Sequence, residues 1–139
     1  MPLLRSVMGS AIVKRNAAEQ GRVLAVLEDD RAVRESFKFS LEIEGFEVHA
    51  YASPDKLLSD PERLAFDCFI VDYHLPGTNG LDVVDQLRKQ GSSAPAILVT
   101  GNPDAKIRKR ASAAAVTLIE KSSAAATLLE NIRRLVGAS

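Results

Sequence analysis

The chain has 139 residues, 46% of them apolar, with 18 Lys plus Arg against 18 Asp plus Glu. One compact domain with an ordinary core is expected, and no global charge draws it onto nucleic acid or a membrane surface. One cysteine, Cys68, excludes an internal disulfide, and no apolar stretch approaches the roughly 20 residues that cross a bilayer, so a cytoplasmic protein is expected.

Residues 1–20 read as an N-terminal extension, with the domain proper over residues 21–139. Leu3, Leu4, Val7, Met8, Ala11 and Ile12 recur at three- and four-residue steps, which would make one apolar stripe on a helix. Gly9 interrupts the stripe at a cost of about 1 kcal/mol relative to Ala. Two readings stay open here: a frayed leader, or a short amphipathic helix that docks on the domain or on a second copy to give a homodimer. A signal peptide is not expected, because Arg5, Ser6 and Gly9 break the apolar run and no basic segment precedes it.

From Arg22 onward strands and helices alternate. "RVLAVLE" is short, apolar and suited to a strand. "DRAVRESFKFSLEIEG" predicts a helix in which Val33, Phe37 and Leu41 step by four and Gly45 is the stop. "FEVHAY" predicts the second strand. Ser53 before Pro54 predicts an N-cap opening a short helix through Leu57 and Leu58. "DCFIVD" is the third strand, followed by a turn built on Pro76 and Gly77. "GLDVVDQLRKQG" predicts a helix with Leu81, Val84 and Leu87 on one face. "AILVT" is the fourth strand, and Pro103 with Asp104 start the helix "PDAKIRKRASAAA". "VTLI" is the fifth strand and "SAAATLLENIRRLVG" the last helix, with Leu128, Ile132 and Leu135 on one face. Five strands alternating with five helices imply an α/β, doubly wound, mostly parallel sheet with helices on both faces.

In such a sheet ligands bind beyond the carboxyl ends of the strands. Strand one ends in Glu28, Asp29 and Asp30, strand three in Asp72, strand four in Thr100 followed by Gly101 and Asn102, and strand five in Glu120 and Lys121. Each end alone is weak evidence; their coincidence at one edge is the signal. Crowded carboxylates repel, so a proton or a cation is expected among them. A hard divalent ion such as Mg²⁺ takes one or two carboxylates and leaves positions for phosphate oxygens. Zn²⁺ is not expected, since Cys68 lies inside a strand and His49 and His74 lack ligand spacing. Asp72 is then placed to attack a phosphoryl group, with Lys121 and Thr100 on its oxygens and Gly101 leaving room above the carboxylate.

The stretches "VLEDDRAVRESF", "CFIVDYHLPGTNGLDVVDQLR", "ILVTGNPD" and "LIEK" resemble the receiver domain of two-component response regulators, over about residues 22 to 136. The "VTG" and "YAS" wording is similar to the nitrogen-fixation-regulator type. The resemblance implies a flavodoxin-like, CheY-like sheet in the order 2-1-3-4-5 with Asp72 as phosphoacceptor. It implies Glu28 and Asp29 as the acidic pair for Mg²⁺, with Asp29 the more direct ligand, Asp72 as a third ligand, and the backbone carbonyl of His74 completing the shell. Asp30 is read as a helix N-cap. Thr100 and Lys121 match the family's hydroxyl and lysine. The implied phosphodonor is a phosphohistidine on a sensor histidine kinase or a phosphotransfer protein. The side chains of His74 and Asn102 are candidates for tuning phosphoryl lifetime, against the plainer reading of His74 as a solvated loop residue.

The sequence departs from the family pattern at three points. Leu118 stands where an aromatic is usual, Ser122 where proline is usual, and Ala114 is the expected replacement of a glycine. Without proline, either a trans bond after Lys121 or a compensated strain is expected. The chain stops at "VGAS", so a single-domain regulatory protein, not an enzyme, is expected. It would phosphorylate itself with Mg²⁺, lose the group slowly, and signal by binding an unnamed protein partner or by onward phosphotransfer. Two rivals remain: an interaction module independent of phosphorylation, and an Asp-nucleophile phosphatase, which commonly carries a second acid where this chain has His74. The run "AKIRKR" either docks an acidic partner or is the wet face of a helix. Cys68 is expected to be an inert core residue.

Overall fold

The structure, a computed structural model, describes residues 21–137 and, apart from positions 123–126, their side chains. The expected helix within residues 1–20 lies outside the described residues. In chain order the elements are β1 (Val23–Leu27), α1 (Arg31–Ile43), β2 (Glu47–Tyr51), α2 (Pro54–Leu58) and β3 (Cys68–Asp72). A hairpin of two-residue strands, His74–Leu75 with Thr78–Asn79, leads into α3 (Gly80–Lys89) and β4 (Ala96–Thr100). Then come α4 (Ala105–Ala113), β5 (Thr117–Glu120), a 3₁₀ turn (Lys121–Ser123) and α5 (Ala124–Val136). The five main strands form one parallel sheet in the order β2-β1-β3-β4-β5.

All residues of β3 and β4 are buried, which is why "CFIVD" and "AILVT" read as continuous apolar runs and do not alternate. Two apolar clusters cover the two faces. One gathers Leu57 of α2, Leu81, Val84 and Leu87 of α3, and Ile107 and Ala111 of α4 over Phe69 and Leu98. The other gathers Leu41 of α1 and Leu128 and Ile132 of α5 over Val26, Ile70 and Ile97.

Helix starts follow side-chain capping. Asp30, Ser53, Asn79 and Asp104 each accept an amide N–H from the first turn of α1, α2, α3 and α4. Gly45 ends α1 at φ 104°, a conformation that favours glycine.

Four boundaries differ from expectation. Asp104 is the N-cap of α4, accepting the amide of Ile107 at 2.8 Å, so Pro103 precedes the helix. β5 starts one residue later than "VTLI" and takes in Glu120, because its register is set by pairing Ile97 with Thr117 and Thr100 with Glu120. Lys121 and Ser123 belong to the 3₁₀ turn, so α5 begins at Ala124. The backbone that favours glycine before β5 is at Ala115, with φ 56°, one residue beyond Ala114, which has φ −90°. No cis peptide occurs among the described residues, so the bond after Lys121 is trans.

Candidate functional site: an acidic pocket at the sheet edge

The ends of β1 and β3 are adjacent strands in register, Leu27 opposite Val71, so the residues that follow them meet above the sheet. Glu28 is 1% exposed and Asp72 5%, whereas Asp29 is exposed. Carboxylate oxygens of Glu28, Asp29 and Asp72 lie within 4.8 Å of one another. The loop is held from below by α1. Arg34 donates to the carbonyl of Glu28 at 2.9 Å and to that of Asp29 at 3.3 Å. Glu28 Oε2 accepts the amide of Asp30 at 3.1 Å, and Asp30 caps α1 as expected.

The ammonium arrives from the turn after β5. Lys121 Nζ lies 2.8 Å from Glu28 Oε1 and 3.5 Å from Asp72 Oδ2. The closer contact is an ion pair that seats the ammonium on the buried Oε1. Burial pushes the Glu28 carboxyl above its ordinary pKa, and the Lys121 ammonium only partly counters it. Burial by itself would lower the Lys121 pKa, but Glu28 and Asp72 outweigh it and hold the ammonium charged. Three carboxylates converging within 4.8 Å, two of them buried, fit a hard divalent cation.

Thr100 is fully buried at the end of β4, next to the Val99 that pairs with Asp72. Its Oγ1 accepts the amide of Asn102 at 3.4 Å, which leaves its hydroxyl proton available. A Cβ added at Gly101 would meet no heavy atom within 4 Å, so the space there is open even to a methyl group. Gly80 is the glycine in close contact. An added Cβ would sit 2.5 Å from the carbonyl oxygen of Asp72. His74 is exposed, with its ring edge-on to Tyr73 at 5.0 Å.

A family model described as response regulator receiver domain matches residues 24–133. The chain belongs to that family. The receiver is 32% identical over 120 residues to the response regulator protein TodT of Pseudomonas putida, covering 86% of this chain and 53% of that protein. It is 31% identical over 115 residues to the transcriptional regulatory protein FixJ of Azorhizobium caulinodans, covering 82% of this chain and 54% of that one. The chain thus spans about half the length of the curated relatives it matches. Among solved structures, a CheY-like receiver domain protein from Methanospirillum hungatei superposes with a TM-score of 0.77 at 26% identity, covering 84% of this chain and 94% of that one. The response regulator TrrA of Thermotoga maritima, solved with Mg²⁺–BeF, gives 0.72 at 28% identity, covering 82% and 98%.

The receiver brings Glu28, Asp29, Asp72 and Lys121 into one pocket, with Thr100 on the neighbouring strand end. Leu118 lies on β5, partly buried against the core cluster that includes Leu98 and Ile107. It also lines a groove of about 300 Å³ with Arg108, Ile119, Glu120, Thr127 and Asn131. Half of "AKIRKR" is spent within the fold: Arg108 pairs with Glu120 at 3.4 Å and Arg110 with Asp82 at 3.2 Å. Sequence reasoning missed Arg34 and Gly80. The signal for Gly80 was a glycine in the first turn of a helix directly after an Asn cap, where a better helix former would serve if there were room.

Proposed function

We propose that the receiver accepts a phosphoryl group on Asp72 from a phosphohistidine of a sensor histidine kinase or phosphotransfer protein. The single observation that carries this is the buried Asp72 carboxylate standing with Glu28 and Asp29 within 4.8 Å and with Lys121 Nζ at 3.5 Å. In the transfer an Asp72 oxygen attacks phosphorus, the new O–P bond forms as the P–N bond breaks, and the imidazole leaves with the electron pair and takes a proton from solvent. Glu28, Asp29 and Asp72, with the His74 carbonyl, would hold Mg²⁺, which neutralises charge on the phosphoryl oxygens when bound. Lys121 pairs with one phosphoryl oxygen as a point charge, and the Thr100 hydroxyl donates to another. The side chains of His74 and Asn102 would tune how soon water reaches the phosphoaspartate.

The output is a change in protein binding or an onward transfer, driven by a shift between conformers the receiver already samples. No direct contact with nucleic acid is proposed. We place the protein in the cytoplasm; no described helix is long and apolar enough to cross a membrane.

The test is intact mass after incubation with Mg²⁺ and acetyl phosphate. Wild type gains one phosphoryl group, and Asp72→Asn or chelation of the metal abolishes the gain. Leu118 and Ser122 favour a second reading, an interaction module indifferent to phosphorylation. No adduct on wild type from a small donor or from the cognate kinase would overturn the first reading in its favour.

A further inference from the structure

Among the described residues, two large hydrophobic side chains stand in solvent one turn apart on α1: Phe39 at 66% exposure and Ile43 at 61%. They lie across the helix from Phe37 and Leu41, through which α1 meets the core. The area they offer is on the order of 250 Å². A stable dimer takes about 800 Å² from each partner, so a second copy seated on this patch alone would not be held. A tethered segment needs far less, because the tether supplies an effective concentration of about millimolar.

The chain enters the domain at the same end of the sheet. The Arg22 carbonyl accepts the Glu47 amide at 3.1 Å, and Val23 pairs with Glu47. Glu47 is four residues past Ile43, so the patch starts within about 14 Å of the entry point. Residues 13–22 span up to about 33 Å when extended, enough to bring the preceding stretch back over α1. That stretch carries Leu3, Leu4, Val7, Met8, Ala11 and Ile12 at helical spacing. The flank of α1 is charge-balanced by the pairs Arg31–Glu35 and Lys38–Glu42, so what covers the patch is selected by apolar shape and not by charge.

We propose that residues 3–12 pack as an amphipathic helix across Phe39 and Ile43 of their own chain. This inference stands apart from the phosphoryl chemistry of Asp72. The test is amide hydrogen exchange on the full chain, with light scattering on the same sample. Expected is exchange in residues 3–12 slowed roughly tenfold or more relative to an unstructured chain, at the mass of a monomer. Phe39→Lys with Ile43→Lys, both exposed positions, should return residues 3–12 to the unstructured rate while the β3 amides stay protected. Leu4→Lys with Met8→Lys should do the same from the other side. Unprotected residues 3–12 in wild type, protection indifferent to the α1 changes, or protection that appears only together with a doubled mass would overturn the proposal.

Discussion

Replacing Gly80 with alanine would drive a methyl group into the floor of the acidic pocket. The added Cβ would stand 2.5 Å from the Asp72 carbonyl oxygen, 2.7 Å from Leu98 Cδ1 and 2.9 Å from Val71 Cγ1. Leu98 and Val71 are fully buried on the two central strands, and the oxygen is backbone, so no flexible side chain can swing aside. Relief requires α3 to back away by about 0.8 Å, the gap between 2.5 Å and an ordinary C···O contact of about 3.3 Å. That motion strains the bond from the Gly80 amide to the Tyr73 carbonyl, now 2.9 Å. Overpacking of this kind costs about 1–3 kcal/mol, and three simultaneous contacts argue for the upper end. Alanine returns up to about 1 kcal/mol through helix propensity and a stiffer unfolded chain. The expected net loss is about 2 kcal/mol, which lowers the urea midpoint by roughly 1–2 M. Equilibrium urea unfolding measures it. An unchanged or raised midpoint would refute the reasoning.

Three further outcomes are expected. Lys121→Ala removes the ammonium that now sits on the Glu28 oxygen a metal would use, so Mg²⁺ should bind on the order of tenfold more tightly by calorimetry; equal or weaker binding would count against the shared oxygen. Ala115→Gly relieves a left-handed backbone at φ 56° and should raise stability by about 0.5–1 kcal/mol after the entropy of the unfolded chain is charged against it; a lower urea midpoint would rule this out. Tyr51 donates its hydroxyl to Asp60, and this bond first, then the Glu62 amide, holds the Asp60 carboxyl below its ordinary pKa of 3.8. A lowered folded-state pKa stabilises above the unfolded value and is lost as pH falls through the folded one, so the advantage of wild type over Tyr51→Phe should be full near about pH 7 and shrink below about pH 3.8. The same difference in urea midpoint at both pH values would sink that account.

The sheet was legible because central parallel strands must be apolar on both faces, and "CFIVD" and "AILVT" say so without periodicity. The caps Asp30 and Ser53 were legible because capping is a local bond within a few residues. The pocket was legible because β1, β3, β4 and β5 run parallel, so their last residues share an edge whatever the details of packing. What stayed hidden depends on atoms brought together from distant parts of the chain. That Lys121 leans on Glu28 more closely than on Asp72 is a matter of tenths of an ångström. Ala115, not Ala114, takes the left-handed turn because the register of β5 on β4 fixes where the chain must reverse. The ion pairs of Arg108 and Arg110 reach 12 and 28 residues along the chain, beyond any local pattern.

Those arginines bear on how α4 is moored. Only Ile107 and Ala111 of this helix are buried, so its apolar footing is two side chains wide. The rest of its attachment is polar: Arg108 to Glu120, Arg110 to Asp82, and Arg88 of α3 donating to the Ala114 carbonyl just past its end. The two ion pairs are about half exposed, and charges in that setting are screened within about 8 Å at physiological ionic strength. The helix is therefore lashed to its neighbours by contacts that dissolved salt loosens. Ionic strength becomes a handle on one wall of the groove beside Leu118, and amide exchange in α4 should quicken with added salt before exchange in β3 or β4 responds.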